Sequence, residues 1–220
     1  MPKILTDDDI ADFRAELCRV ATERFARYGY DGVTMRQLAD ELGCSPKTPY
    51  RYFQDKADIL ATVRAAAFSR FADALEAAAA SSADPVERSS RVGHAYIDFA
   101  LGNPAAYRIM FDLNVPESMN HDELRREAAR ARQFITRQAE DLSRAGLIEG
   151  DPQVVGWSMW AAVHGLVVLK LAGLLREGPD FDILYKSMMH LMIEGARTDR
   201  VTAPPVERRK QPSDRAPRKN

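Results

Sequence analysis

Apolar residues recur every three or four positions along nearly the whole chain, and no strict alternation competes with that rhythm, so the pattern predicts an all-α protein. Cap residues punctuate it. A first helix should start after Thr6, where Asp7, Asp8 and Asp9 favour the positive end of the dipole. It should bury Ile10, Phe13, Leu17, Ala21 and Phe25 and stop near Gly29. Thr34 and Gln37 have capping-box spacing, so a short second helix should present Leu38, Ala39 and Leu42 inward and break at Gly43. Ser45 and Pro46 suit the start of a third helix through about Tyr52. Asp55 should cap a long fourth helix reaching Ala79.

The same grammar continues after the polar linker Ser81, Ser82, Ala83. Asp84, Pro85 and Glu87 open a helix running to about Gly102, and Asn103 and Pro104 open a short one through Phe111. A loop from Asn114 to Asn120 should lead into one charged helix ending near Gly146. Asp151 and Pro152 should open a long apolar helix, and Gly178 and Pro179 should separate it from a last helix ending about Arg197. The uncharged stretch from Val154 to Leu169 contains His164 and is followed by Lys170, which reads as a buried helix rather than a membrane span.

Residues 34 to 53, TMRQLADELGCSPKTPYRYF, have helix-turn-helix arithmetic: small Ala39 where two helices cross and glycine four residues later at the turn. Gly43 can take the positive φ that ends one helix and lets the next leave steeply. Leu38, Leu42 and Cys44 should face the small core. The third helix should present Ser45, Lys47, Thr48, Tyr50 and Arg51 outward, where amides and dipole also favour a phosphate. Thr34 and Arg36 suit phosphate clamping, and Lys56, which opens the next helix, should join Lys47, Tyr50 and Arg51 in contacting nucleic acid. Pro49 gives up one intrahelical bond and pushes Thr48 away from α geometry, so the first turn should tighten or kink.

Charge sharpens this picture. With 31 basic and 32 acidic residues the formal net charge is -1, which excludes a protein coated in positive charge and confines any nucleic-acid contact to a local patch. The segment from Thr198 to Asn220 holds seven basic residues, three acidic and four prolines but no aromatic, a composition that predicts a disordered basic tail. Cys18 and Cys44 are too few for a disulfide framework, and the N-terminus MPKILTDDDIADF lacks signal-peptide order, so a cytoplasmic protein is expected. There is no HExxH, GxSxG or Gly-rich phosphate loop, and His94, His121, His164 and His190 lack metal spacing, so neither catalysis, cofactor nor metal is expected.

ATERFARYGYDGVTMRQLADELGCSPKTPYRYFQDKADIL resembles the N-terminal domain of the TetR family of transcriptional repressors. Phe25, Tyr28, Gly29, Thr34, Ala39, Gly43, Ser45, the Tyr50–Phe53 block and Lys56 carry the likeness. Pro49 departs from it, because the family usually has an aliphatic residue there. The resemblance implies a homodimer whose paired recognition helices enter successive major grooves of a palindromic DNA operator, roughly 34 to 36 Å apart. It also implies a C-terminal domain that binds an effector. NPAAYRIMF at 103 to 111 and Trp160, His164 and Gly165 resemble the subgroup with a tryptophan-histidine-glycine (WHG) signature, in which Gly165 would permit close approach of a neighbouring helix.

On this reading residues 1–54 form the DNA-binding domain, 55–197 the effector-binding and dimerisation domain, and 198–220 the tail. A small, largely apolar effector would be lined by Phe68, Phe71, Tyr96, Phe99, Tyr107, Met110, Phe111, Phe134, Trp157, Trp160 and His164. Plain bundle packing is the competing role for each, and for His164 a hydrogen-bonded core position. Val163, Val167, Leu171 and Leu174, with Leu184, Met188, Leu191 and Met192, exceed what one interior requires and predict a four-helix seam between two subunits. The competing functions are a soluble carrier or enzyme using the C-terminal cavity, and an effector-independent DNA-binding protein.

Overall fold

The computed structural model describes residues 6–112 and 121–197, and among them the only regular elements are helices. The expected loop from Asn114 to Asn120 and the tail from Thr198 lie outside the described residues. Helix α1 spans Asp7–Tyr28 and opens on a full capping box between Thr6 and Asp9. Thr34 and Gln37 form the second capping box, ahead of α2 (Met35–Glu41). Helix α3 (Lys56–Ala80) starts where the Asp55 side chain accepts from the Asp58 amide. Asp84 and Asp151 cap α4 (Pro85–Gly102) and α8 (Pro152–Leu171) in the same way, each with proline in the first turn. Between them lie α5 (Pro104–Phe111), α6 (Asp122–Arg132) and α7 (Phe134–Arg144), and α9 (Phe181–Ala196) closes the described chain.

Two expected helices differ. The third reduces to one turn of 3-10 helix, Pro49–Arg51. Proline at position 49 has no N–H, so the Ser45 carbonyl instead accepts from Thr48 at 2.8 Å, an i to i+3 bond. The following bonds, Thr48 to Arg51 and Pro49 to Tyr52, keep the same tight spacing. Ser45 therefore caps a turn rather than an α-helix. The expected single charged helix is broken at Gln133 into α6 and α7, which lets α6 lie along α3 while α7 lies along α8.

Three apolar clusters organise the protein. Leu17, Val20, Ala21 and Phe25 of α1 meet Val33, Leu38, Phe53 and the start of α3 (Ile59, Leu60, Val63), together with Ile109 from α5. Farther along the same helix, Phe68, Phe71, Ala72 and Leu75 enter a second, larger cluster with α4, α5, α6 and α8. A third joins Ala139 and Leu142 of α7 to Val155 and Met159 of α8 and Ala196 of α9. Helix α3 is thus shared by the two main clusters, and the isoleucine of α5 ties them again.

Close contact between α7 and α8 depends on Gly156, where an added Cβ would lie 2.3 Å from the Ile135 carbonyl oxygen. Nothing lies within 4 Å of a Cβ built on Gly165, so the close approach expected there occurs one helix segment earlier. Helix α8 is long and apolar enough to span a bilayer by composition, yet Val155, Met159, Val163, Leu166 and Val167 are buried against its neighbours. Ion pairs fasten α6 to α3: Arg130 reaches Glu76 at 2.6 Å and also contacts Asp73, while Glu127, one turn earlier on α6, holds the guanidinium at 3.0 Å. Those carboxylates hold the Arg130 guanidinium more firmly charged than usual.

Candidate functional site

The first candidate surface is built on the N-terminal cluster. Gly43 adopts φ 63° as expected, ending α2 so that the chain turns sharply at Cys44, which is half-buried and not part of the core. Pro49 and Phe53 point inward and are fully or almost fully buried. The ring of Tyr52 packs on Phe13 with centroids 4.5 Å apart, and the Arg14 guanidinium lies 4.3 Å from the Phe53 ring centre. With Tyr52 and Phe53 anchored, Tyr50 and Arg51 stand in solvent beside Ser45 and Lys47, and Thr48 is half-buried. Thr34 and Arg36 are exposed at the start of α2, and Arg36 lies 4.0 Å from Asp40.

Lys56 is placed differently from the rest. Its Nζ donates to the Tyr30 carbonyl at 2.7 Å and sits 3.9 Å above the Tyr30 ring. That pair of contacts pins the start of α3 to the end of the first cluster.

The second candidate is a cavity of about 1210 Å³ inside the C-terminal bundle. Phe68, Phe71, Tyr96, Met110, Phe111, Phe134, Trp157 and Trp160 line it. Phe99, Tyr107 and His164 do not. Phe99 is packed against Phe71, with ring centroids 5.1 Å apart. Tyr107 and His164 instead face a smaller hollow of about 420 Å³, bounded also by Phe25, Ala26 and Gly29 at the end of α1.

A chain of hydrogen bonds separates the two spaces. The Tyr96 and Tyr107 phenol oxygens are 2.7 Å apart, and Tyr107 Oη lies 2.7 Å from His164 Nδ1. Tyr96 Oη is also 3.1 Å from that nitrogen. Burial pushes the Tyr96 hydroxyl up to about 12 and that of Tyr107 higher still, and it pushes the His164 imidazole down. All three groups are therefore neutral at neutral pH. One assignment consistent with these distances has Tyr96 donating to Tyr107 and Tyr107 donating to His164 Nδ1.

Two polar residues of the cavity wall were not singled out from the sequence. Arg64 lines the cavity, and its Nη2 donates to the Met110 carbonyl at 3.2 Å while Nε has no hydrogen-bond partner among the described residues. Gln138 is 8% exposed and neither atom of its amide has a partner among the described residues. The signal was present: Arg64 falls on the face of α3 that carries Phe68 and Phe71, and Gln138 on the face that carries Phe134 and Leu142.

The outer faces of α8 and α9 are the third candidate. Val163 and Val167, expected at an intersubunit seam, are 8% and 0% exposed inside the subunit, because that side of α8 enters the second apolar cluster, where it meets α4. Leu171, Leu184, Met188 and Met192 are half-buried. Leu174 and Leu191 are 71% and 70% exposed, in company with exposed Val168, Leu169 and Ile183.

Residues 17–63 match the family described as bacterial regulatory proteins, tetR family, and residues 89–192 match the tetracyclin repressor-like C-terminal domain. Among solved structures, a protein of unknown function from Rhodococcus sp. RHA1 is 23% identical, with TM-score 0.72 over 90% of this chain and 100% of that one. A TetR family transcription regulator from Marinobacter aquaeolei VT8 is 22% identical, with TM-score 0.65, over 86% of this chain and 94% of its own. PfmR, a TetR family transcriptional regulator from Thermus thermophilus, is 19% identical, with TM-score 0.66, over 81% of this chain and 97% of its own. No curated protein matches the chain in sequence.

Proposed function

We propose that this chain, which belongs to the tetR family of bacterial transcription regulators by both of its domains, is a cytoplasmic, ligand-responsive repressor that binds a palindromic operator as a homodimer. Residues 1–54 hold the operator, 55–197 bind effector and partner subunit, and Trp160, His164 and Gly165 are its WHG signature. The observation that carries this reading is the double membership of α3. One end packs Ile59, Leu60 and Val63 beneath the surface of Lys47, Tyr50 and Arg51, and the other packs Phe68 and Phe71 at the cavity wall.

Effector in the cavity favours one position of α3, and α3 sets the spacing of the two DNA-reading turns. The shift is limited to the ligand's differential affinity for the two spacings. Ser45, Lys47, Thr48, Tyr50 and Arg51 supply the groove contact, Thr34 and Arg36 hold flanking phosphates, and Lys56 fixes α3 beneath them. Exposed Leu174, Leu191, Val168 and Ile183 support a subunit seam formed by α8 and α9. Selection of DNA from a random pool by the purified protein, followed by gel-shift titration of the selected site, tests the reading. A single palindromic consensus is the expected result, and no enrichment over bulk DNA would overturn it.

A further inference from the structure

The cavity is apolar for most of its lining, yet its polar groups are unequally charged. Arg64, Arg125, Arg132, Lys186 and Arg197 contribute to the wall or mouth, against the single carboxylate of Asp112. Arg125 and Arg197 have acidic partners outside the wall, Asp122 and, at 3.1 Å, Glu194. Arg64 is the one seated deepest in the helix packing: it is half-buried on α3, and its contact with the Met110 carbonyl leaves Nε without a hydrogen-bond partner among the described residues.

We propose that the effector is an amphipathic carboxylate, whose apolar body fills the cavity and whose acid group seats on the guanidinium of Arg64. The inference rests on the reading of the C-terminal bundle as an effector domain and names the chemistry that domain selects. A guanidinium offers a planar fork of donors matched to a carboxylate, and a charged bond of this kind is shielded from water in a cavity of largely aromatic and aliphatic lining. Burial lowers the proton affinity of Arg64 more than neighbouring Asp112 restores it, so the protein itself compensates this charge only in part. Gln138, unpartnered at both amide atoms among the described residues, adds a second polar position in the wall for a substituent of the same body. At about 1210 Å³ the space exceeds the upper end of ordinary small-molecule pockets, roughly 1,000 Å³, so a long or polycyclic body is accommodated.

The position of Arg64 also links recognition to response. It lies one turn beyond Leu60 on α3 and bonds the last turn of α5, the helix whose Ile109 enters the N-terminal cluster. An acid group drawn to Arg64 therefore acts where α3 and α5 leave the DNA-binding unit.

The test is displacement of N-phenyl-1-naphthylamine, a neutral apolar fluorophore, from the full-length protein by dodecanoate and by dodecan-1-ol, which share a chain and differ in charge. The expected result is displacement by dodecanoate at a concentration roughly tenfold or more below that of dodecan-1-ol. In Arg64→Met the preference should collapse to near unity, and in Arg64→Lys it should return in part. Equal displacement of a bound fluorophore by acid and alcohol overturns the carboxylate proposal and leaves the effector domain standing. A full preference in a folded Arg64→Met protein overturns the seating on Arg64. Failure of the fluorophore to bind the native protein overturns the effector-domain reading, and this proposal with it.

Discussion

Tyr107 and His164 share a hydrogen bond of 2.7 Å between the phenol oxygen and Nδ1, joining the short helix α5 to the long apolar helix α8 across the wall between the two hollows. Ring packing surrounds it, with Phe111 4.8 Å and Trp160 5.2 Å from the imidazole centre. Tyr107→Phe keeps the ring and removes the shorter bond, leaving His164 Nδ1 and the Tyr96 hydroxyl with their mutual 3.1 Å contact. The expected cost is about 0.5–1.5 kcal/mol, a fall in Tm of roughly 2–4 °C per kcal/mol, measured by calorimetry. An unchanged Tm would mean that the bond contributes nothing net.

The same histidine makes stability depend on pH. Burial lowers its folded-state pKa below the ordinary value of 6.5, so between the two the unfolded chain binds the extra proton. The sign follows: this contribution is fully present above the ordinary value and is lost as pH falls through it toward the folded value. Urea unfolding at about pH 8 and about pH 5.5 should show lower stability in acid, and His164→Gln, which keeps an acceptor but not the titration, should flatten the difference.

What could be seen in advance divides along physical lines. The caps at Thr6, Thr34, Asp55, Asp84 and Asp151 were legible because a side chain accepting from an amide two or three residues on is a local event. Phe68 and Phe71 of α3 and Phe134 of α7 fall on inward faces that helical spacing marks. Helix α8 is apolar on nearly every side, so its periodicity carries no direction, and Val163 and Val167 were assigned to the wrong face. Pro49 acts on the turn and not on the residue before it: losing one donor in so short a segment leaves a single 3-10 turn, while Thr48, expected outside α geometry, lies within it at φ -63°, ψ -45°.

At the proposed operator surface, Lys47→Ala removes one cation per subunit from a turn that buries nothing of it. In a symmetric dimer that is two phosphate contacts, so the slope of log affinity against log salt should lessen by roughly 2. Affinity should fall similarly for good and poor operator sequences. Tyr50→Phe, by contrast, should leave the salt slope intact. Filter-binding titrations across a salt series read both, and an unaltered slope for Lys47→Ala would remove that residue from the interface.

Two glycines of one helix should respond in opposite directions. Gly156→Ala drives a methyl to 2.3 Å from the Ile135 carbonyl oxygen, backbone against backbone, so α7 and α8 must separate. A loss of about 1–3 kcal/mol is expected. Gly165→Ala meets no atom within 4 Å and sits inside the helix, where alanine is favoured by up to about 1 kcal/mol. Calorimetry of both variants gives the comparison, and a destabilised Gly165→Ala would indicate that a second subunit covers that position.

The seam between subunits is tested by separating folding from association. Leu174 and Leu191 are 71% and 70% exposed in one subunit, so a charge at either costs the isolated fold little. If they lie in the seam, Leu174→Glu with Leu191→Glu buries two carboxylates per subunit against apolar surface on association, which no dimer of ordinary stability tolerates. Sedimentation velocity should then report a monomer while far-ultraviolet circular dichroism retains its helical amplitude. Val167→Glu serves as the contrast, because Val167 is 0% exposed and the acid would enter the subunit interior. It should lose helical signal and Tm together. A dimer that survives the double substitution would move the interface off the face that carries Leu174 and Leu191.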